Sequence, residues 1–311
     1  GYLVEIIVIG YHSGMKLTRS MILTHRGLEP SKSDFFPESS FEAFQDQLSR
    51  GFGIEFDPNF SKDGIIISHD NTLRRITNEN DSRPFSTLTI SEIKMIRYGN
   101  QKKGRIPTFN EIMDLIRNSD STINALHLKG RFQSRKFLDI LIDALNENID
   151  NVDKILVFDA TPDAARYLKK ALHSLLIAPS VSHPYDIKRY TNFTHGTLLS
   201  LQEAIRYRNE KLYDWVWLDE WDLQDENNGH KSLINSSVFT KLKNAGYKIA
   251  LVTPELHGTS PGLLANEAHP DAKNTTSLFK RISEIIALSP DALCTDYPEE
   301  VLKLSTLGDT S

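Results

Sequence analysis

The chain has 311 residues, of which 39% are hydrophobic, and 36 Lys and Arg against 41 Asp and Glu give a formal net charge of −5. This balance is typical of a globular protein, and without a run of Lys or Arg it argues against binding to nucleic acid. No apolar run approaches the roughly 20 residues that span a bilayer, so stable membrane insertion is not expected.

The single cysteine, Cys294, excludes an internal disulfide and fits a reducing compartment. The cytoplasm is therefore the expected location, with the periplasm or secretion as alternatives. Composition gives no indication of the oligomeric state.

Residues 1–20 are interpreted as an extension ahead of the main body. Residues 1–10 are apolar but interrupted by Glu5, and they lack the basic region of a signal peptide. An extra strand, a plug at the bottom of a barrel and the remnant of a trimmed anchor all fit this segment, so its role stays open. Residues 21–311 show no break in composition and are expected to form one domain.

Short apolar runs alternate with helical patterns along the rest of the chain. A strand is predicted at residues 21–25, a helix at 41–48 and a second strand at 54–57. Residues 58–105 interrupt this rhythm with a hairpin-like stretch, a polar stretch and a brief helix at 91–97. We interpret them as a small insertion after the second strand.

The rhythm resumes after Pro107. Helices are predicted at residues 110–117, 136–145, 162–172, 201–207, 238–244 and 277–288, and strands at 123–129, 154–159, 174–178, 214–219, 247–252 and 292–295. Such alternation is typical of parallel strands joined by crossover helices. Eight strands in this length favour an α/β fold, the (β/α)8 TIM barrel. The absence of Gly-x-Gly-x-x-Gly after any strand weakens the alternative of an open dinucleotide-binding sheet.

The second strand carries two carboxylates, Glu55 and Asp57, on one face. Two like charges are costly to bury unless a divalent cation lies between them, and Mg²⁺ and Ca²⁺ favour carboxylate oxygens. An acidic strand facing solvent is the alternative. His69, after the hairpin, adds a side chain that titrates near neutrality.

Other polar residues also fall where predicted strands end: His25, Arg26, His127, Lys129, Asp159, Asp219 and Asp296. The carboxyl ends of barrel strands share one face, so these side chains should converge on one pocket. Arg26 offers a bidentate fork for phosphate oxygens and Lys129 offers a point charge. Two histidines could serve as acid and base, so the pocket is expected to cleave a phosphate ester bridged to a metal.

Several short motifs occur in order between residues 21 and 110. They are His25-Arg26-Gly27, Pro37-Glu38-Ser39-Ser40, Ala43-Phe44, Glu55-x-Asp57, Asp63-Gly64, His69-Asp70 and Leu73-x-Arg75-x-Thr77. Together with residues 291–298, this set resembles the glycerophosphodiester phosphodiesterases. The resemblance implies a TIM barrel with a small insertion after strand two. It also implies a metal-dependent hydrolase that splits a small glycerophosphodiester, or a related alcohol phosphodiester, into an alcohol and a phosphomonoester of the glycerol 3-phosphate type.

Carried over residue by residue, the resemblance implies that His25 and His69 are the catalytic acid and base. Arg26 would contact the phosphate, and Lys129 matches the lysine that follows the third strand. Glu55 and Asp57 would bind Mg²⁺ or Ca²⁺. In the family, a neighbouring hydroxyl of the substrate can attack phosphorus first, giving a cyclic intermediate that water opens.

The sequence departs from the family at two places. The third strand reads His127-Leu128-Lys129 where the family has Glu-x-Lys. His127 would then be either a third metal ligand that brings Mn²⁺ into consideration, or a phosphate-contacting histidine. Residues 251–255 read Leu-Val-Thr-Pro-Glu where the family has Trp-Thr-x-Asn, and the loop that follows to about residue 274 is expected to reshape the alcohol pocket.

Two rival functions stay open. One is a lyase of the phospholipase D toxin type, which releases a cyclic phosphate. The other is a phosphodiester-binding module that lost turnover through the change at His127. Most of the three tryptophans are expected to pack in the barrel, although one of their rings, or Phe36, could line the substrate groove.

Overall fold

A parallel sheet whose first and last strands meet forms the centre of the fold. The computed structural model describes residues 17–32, 34, 36–99, 104–221, 231–256, 272 and 274–307. Its strands are β1 (Ile22–His25), β2 (Gly53–Phe56), β3 (Pro58–Phe60), β4 (Ile65–Ile67), β5 (Asn124–His127), β6 (Ile155–Phe158), β7 (Leu176–Ile177), β8 (Ser180–Val181), β9 (Trp215–Leu218), β10 (Lys248–Val252) and β11 (Ala292–Thr295).

Nine of these strands form one sheet in the order β7-β6-β5-β2-β1-β11-β10-β9-β8, and every pairing in it is parallel. The two edge strands, β7 and β8, are separated along the chain only by Ala178 and Pro179. The backbone N–H of Asp214, just before β9, donates to the carbonyl oxygen of Ile177 across this junction. The sheet therefore closes, with β7 and β8 as halves of the fifth of eight barrel strands, which confirms the predicted (β/α)8 barrel.

Helices connect the strands and cover the outside of the barrel. They span Phe41–Ser49, Ile90–Lys94, Phe109–Arg117, Arg135–Asn146, Pro162–Ala171, Pro184–Tyr190, Leu201–Asn209, Ser236–Asn244, Thr275–Ala287 and Pro298–Leu307. The helix Phe109–Arg117 shows why they form. Its apolar residues at positions 109, 112, 113 and 116 are buried along one face, and Thr108 and Glu111 cap its first turn reciprocally.

The structure departs from the sequence prediction in three elements. The predicted strand at 174–178 covers only β7, the first half of the fifth barrel strand, and misses β8, which follows Pro179; Pro179 has no N–H to donate to a continuous ladder. The helices Pro184–Tyr190 and Pro298–Leu307 were not predicted, although each begins with a proline at a position where its missing N–H costs nothing.

Residues 58–99 and 104–106 form a small substructure beside the barrel mouth. The antiparallel pair β3–β4 is followed by the short helices Phe85–Thr87 and Ile90–Lys94. These elements share an apolar cluster of their own: Ile66, Leu73, Phe85, Leu88, Ile93, Tyr98 and Ile106. The N–H of Ser68 donates to the carbonyl oxygen of Asp57 at 3.0 Å, so the hairpin returns the chain to the end of β2.

The segment before β1 packs at the opposite end of the barrel. Leu17 is buried, and Arg19 lies over the ring of Phe52 and pairs with Glu299 at 3.0 Å. The rest of the predicted extension, residues 1–16, lies outside the described residues. Among the helices of the described ranges, none is long and apolar enough to cross a membrane.

Among the described glycines of the barrel, Gly53 is predicted to be the one whose replacement by alanine destabilises the protein most. A Cβ there would lie 2.3 Å from the carbonyl oxygen of Ile123 and 2.6 Å from a methyl carbon of Leu23. Gly53→Ala should lower the free energy of unfolding by about 3 kcal/mol, the upper end of overpacking costs. Gly196 has positive φ but open space around it, so Gly196→Ala should cost about 1 kcal/mol. Urea denaturation would measure both, and equal losses would contradict the expected clash.

Candidate active site

A cavity of about 850 Å³ opens at the carboxyl ends of the barrel strands. Its size is within the usual range for small-molecule sites. The charged and histidine side chains that line it are His25, Arg26, Glu55, His69, Asp70, Arg74, Arg75, Glu79, His127, Lys129, Arg131, Asp159, His195 and Asp219. Aromatic and aliphatic side chains line it as well, among them Phe158, Trp217, Trp221 and Leu256. Six of the seven residues predicted from sequence line this cavity, and the seventh, Asp57, is buried immediately behind it.

Glu55 and Asp57 lie at the end of β2, next to His127 at the end of β5. One potential ligand atom from each of these three residues lies within 4.8 Å of the other two. Glu55 Oε2 and Asp57 Oδ2 are buried and accept no hydrogen bond in the described structure. Two buried carboxylate oxygens without a hydrogen-bond donor, together with an imidazole, fit the coordination of a divalent cation.

The two carboxylates respond differently to burial. Burial and the neighbouring Asp57 raise the pKa of Glu55. Burial also disfavours ionised Asp57, but Lys129 and His127 outweigh it and hold the pKa of Asp57 well below its usual range. The surroundings therefore favour the ionised form of Asp57 more than that of Glu55, whose ionisation a nearby cation would favour.

Three cationic groups surround Asp57. His127 Nδ1 lies 2.9 Å and Lys129 Nζ 3.1 Å from Asp57 Oδ1, while Arg26 Nε lies 3.6 Å from Oδ2. Burial lowers the pKa of Lys129, an effect that Asp57 partly offsets. These contacts place positive charge around the buried carboxylate.

His127 contacts carboxylates through both ring nitrogens. Its Nε2 lies 3.4 Å from Asp159 Oδ2, in addition to the contact between Nδ1 and Asp57. Burial favours the neutral ring, but hydrogen bonds to Asp159 and Asp57 outweigh it and raise the pKa of His127 to about 9. The ring stacks on Phe158 with centroids 4.7 Å apart, and Phe158 stacks on Trp217 at 3.9 Å. A column of three rings therefore fixes the orientation of His127.

His25 and His69 present the same local pattern. His25 Nδ1 lies 3.1 Å from Asp296 Oδ1, and His69 Nδ1 lies 2.8 Å from Asp70 Oδ1. Asp70 is held in turn by Arg75 Nε at 2.6 Å. In each case a carboxylate on Nδ1 fixes the ring and leaves Nε2 as the nitrogen for the cavity.

The electrostatic surroundings of His69 favour its neutral form. Burial lowers its pKa most, and the cations Arg26 and Lys129 lower it further, outweighing Asp57 and Asp70. The pKa of His69 therefore lies well below its ordinary value. The ring is neutral at pH 7 and available to accept a proton.

Arg26 and Lys129 reach the cavity from positions just after strands β1 and β5. Arg26 follows β1 in the left-handed region, with φ of 55°, and its N–H donates to the carbonyl oxygen of Glu55. Its guanidinium also lies 3.4 Å from Glu38 Oε2. Lys129 lies two residues beyond the end of β5, although the predicted strand 123–129 included it, and its Nζ contacts the carbonyl oxygen of His69. Both cations therefore face the space between the histidines and the carboxylates.

Four further residues matter to the site but had no role assigned from sequence. Asp159 and Asp296 had only their positions at strand ends as a signal. Glu255 Oε1 accepts hydrogen bonds from the hydroxyls of Thr253 and Thr295 and from the N–H of Asp296. The fourth, Arg131, lines the cavity from the turn after β5. Glu255 thus fixes Asp296, the residue that contacts His25. The fold alone brings these three residues together.

The predictions for the aromatic residues have different outcomes. Trp217 and Trp221 line the cavity. Phe36 does not; it borders a separate depression of about 160 Å³ beside Glu29 and Gln47, so the prediction for Phe36 is wrong. The loop expected to reshape the alcohol pocket falls on residues 257–271 and 273, which lie outside the described residues.

Comparison with known proteins agrees with this fold. The glycerophosphoryl diester phosphodiesterase family matches residues 25–300. Among solved structures, a glycerophosphoryl diester phosphodiesterase from Parabacteroides distasonis is similar at 19% identity, covering 94% of this chain and 88% of that one, with a TM-score of 0.61. A glycerophosphodiester phosphodiesterase from Agrobacterium tumefaciens is similar at 17% identity, covering 90% and 98%, with a TM-score of 0.58.

A third similar structure is an Oleispira antarctica phosphodiesterase in complex with its product sn-glycerol-3-phosphate. It is 17% identical, with coverage of 91% and 96% and a TM-score of 0.60. At these identities the solved structures establish the shared fold. No curated protein matches the chain.

Proposed function

This chain belongs to the glycerophosphoryl diester phosphodiesterase family and is a phosphoric diester hydrolase, and on that premise we propose that it hydrolyses a glycerophosphodiester at a metal site formed by Glu55, Asp57 and His127. The observation that carries the proposal is the convergence of this group with two carboxylate-supported histidines in one cavity. The substrate would be a small phosphodiester whose hydrolysis gives an alcohol and a glycerol 3-phosphate type of monoester.

The metal proposal rests on the donor set. Glu55 and Asp57 supply buried carboxylate oxygens that accept no hydrogen bond in the described structure, and His127 must release a proton from its ring before it can act as a ligand. A divalent cation at this position supplies charge that stabilises the oxygens of the reacting phosphate. Mg²⁺ or Ca²⁺ suits the two carboxylates, and His127 brings Mn²⁺ into the same range.

Arg26 and Lys129 are proposed to hold the phosphate. Both face the cavity beside His69, and Arg26 can offer two parallel N–H donors to phosphate oxygens. Because each already contacts Asp57, the anionic substrate would meet cations that are held in place before it binds. Because such preorganised charges need not reorient during the reaction, they stabilise the transition state more effectively than water would.

His69 is proposed as the general base and His25 as the general acid. Neutral His69 takes a proton from the nucleophile, the nucleophile forms a bond to phosphorus, and the bond between phosphorus and the leaving oxygen breaks. His25, supported by Asp296, gives its proton to that oxygen. The nucleophile is water or a neighbouring substrate hydroxyl, and in the second case a cyclic phosphate forms before water opens it.

Phosphorus NMR of a reaction with glycerophosphoglycerol and Mg²⁺, Ca²⁺ or Mn²⁺ tests the proposal. Appearance of a phosphomonoester signal is expected. Accumulation of a cyclic phosphate that water does not open would identify a lyase instead. An unchanged diester signal with every metal would contradict hydrolysis of this class of substrate.

Removing either carboxylate should abolish metal-dependent turnover. Glu55→Gln and Asp57→Asn keep the side-chain shapes but remove the negative charges that a hard cation needs. Isothermal calorimetry should detect no metal binding to either variant while circular dichroism stays unchanged. Asp163→Asn, an exposed change elsewhere on the barrel, is the control. Normal metal affinity in Glu55→Gln or Asp57→Asn would disprove this site.

The two histidines should behave as one unit. His25→Ala and His69→Ala are each expected to lower kcat by roughly 10²–10⁴-fold, the scale of general acid–base catalysis. The double variant should lose little beyond the weaker single variant, because residues that act together are not additive. Steady-state kinetics would decide: near-normal kcat in one single variant would remove that histidine from the mechanism, and multiplicative losses would place the two in separate steps.

His127 should tune the choice of metal. An imidazole in place of a carboxylate leaves the site one negative charge short, so Mn²⁺ should activate the enzyme at lower concentration than Mg²⁺ or Ca²⁺. His127→Glu is expected to restore a preference for the hard cations. Activity would be measured against the concentration of each metal. An identical metal ranking in the two proteins would mean that His127 is not a ligand.

A further inference from the structure

Arg131 differs from the other cationic side chains of the cavity. The Lys and Arg residues that line it are Arg26, Arg74, Arg75, Lys129 and Arg131. Four of them have carboxylate partners: Arg26 pairs with Glu38, Arg74 with Glu79, Arg75 with Asp70, and Lys129 with Asp57. Arg131 makes no hydrogen bond or ion pair with any residue that the structure describes, and the ring of Phe132 lies 5.2 Å from its guanidinium.

The position of Arg131 is fixed by its backbone. It lies in the short helix Gly130–Phe132, directly after β5 and Lys129. A Cβ at Gly130 would come within 2.7 Å of both His195 Cβ and the carbonyl oxygen of Thr194, so Thr194 and His195 pack tightly against this turn. Arg131 therefore extends into the cavity from a turn that is packed against Thr194 and His195.

The surroundings of Arg131 suit an anion. Asn192, Thr194 and His195 line the same cavity and add polar groups next to the Gly130 turn. Arg131 is also close enough to the reacting centre to feel the carboxylates of Asp57 and Asp70. A ligand group held here would thus lie beside the reacting phosphate without replacing it.

The reacting phosphodiester does not account for Arg131. A phosphodiester carries one negative charge, and Arg26, Lys129 and the proposed cation already face it. An arginine fork beyond these matches a further carboxylate or phosphate, which it can bind through two parallel hydrogen bonds. A neutral alcohol such as glycerol offers no such group.

We propose that Arg131 is a specificity-determining residue that binds a second anionic group, a carboxylate or a phosphate, on the alcohol portion of the phosphodiester. This inference rests on the proposed function and narrows its substrate class. The preferred substrates are glycerophosphodiesters with an acidic alcohol moiety.

A matched pair of esters tests the inference. Glycerophosphoglycerol has a neutral alcohol, and glycerophosphoglycerate has a carboxylate in place of one hydroxymethyl group. Wild-type kcat/KM should be higher for the glycerate ester. Arg131→Met should lower kcat/KM for that ester by roughly 10- to 100-fold, the scale of hydrogen bonds to a charged group, and for the neutral ester by less than about threefold. Arg131→Lys should recover part of the loss, because it restores the charge but not the fork.

Two further arms separate the alternatives. Glycerophosphoglycerol phosphate, in place of the glycerate ester, shows whether the second anion is a phosphate or a carboxylate, and selective loss with either one supports the inference. Arg74→Met removes a cation of the same cavity that is already paired with Glu79, so it should not discriminate between the esters. Equal losses for neutral and anionic esters in Arg131→Met, no loss for either, or no wild-type preference would each overturn it.

A binding measurement keeps the test independent of turnover. In calorimetry, Arg131→Met should weaken 3-phosphoglycerate by roughly tenfold or more and change the affinity for glycerol 3-phosphate by less than about threefold. If the wild type hydrolyses none of the esters, the proposed function fails, and this comparison still decides the role of Arg131. Equal weakening of both ligands would assign Arg131 to the shared phosphate and overturn the inference.

Discussion

The burial of Glu55 and Asp57 side by side at the end of β2 is the constraint on which the site depends. Two carboxylates in a dry environment cannot both stay charged without compensation. Neighbouring segments bring positive charge to them: Arg26 follows β1, and His127 and Lys129 come from β5 and its extension. In the proposed function, the same cations would give an anionic phosphodiester a place to bind, although acidic side chains form the centre of the site.

Much of this architecture could be predicted from sequence because local patterns specify it. Alternating apolar runs and amphipathic helices indicated the barrel, and ordered polar residues at strand ends indicated its functional face. The failures have local causes. Pro179 interrupts the fifth barrel strand, and the predicted strand at 174–178 ended before it and missed the second half. Helices beginning at Pro184 and Pro298 were missed although a proline is favoured at that position.

The partners of the site residues could not be predicted in the same way. Asp296 is 271 positions from His25 along the chain, and Glu255 supports it from a third strand. No periodicity links such residues, because closure of the barrel alone decides which strand ends become neighbours. Lys129 shows the converse: the expected strand geometry is absent there, yet its long side chain reaches Asp57.

The small substructure of residues 58–99 and 104–106 has its own apolar cluster, and this has a consequence for the thermal inactivation of the enzyme. His69 and its partners Asp70 and Arg75 belong to this segment, whereas Glu55 and His127 belong to barrel strands. Small cooperative units open before the whole molecule unfolds. Opening of this segment would carry the proposed base away from a barrel that is still folded. The temperature at which activity disappears would then depend on the local stability of this segment and not on the melting of the barrel.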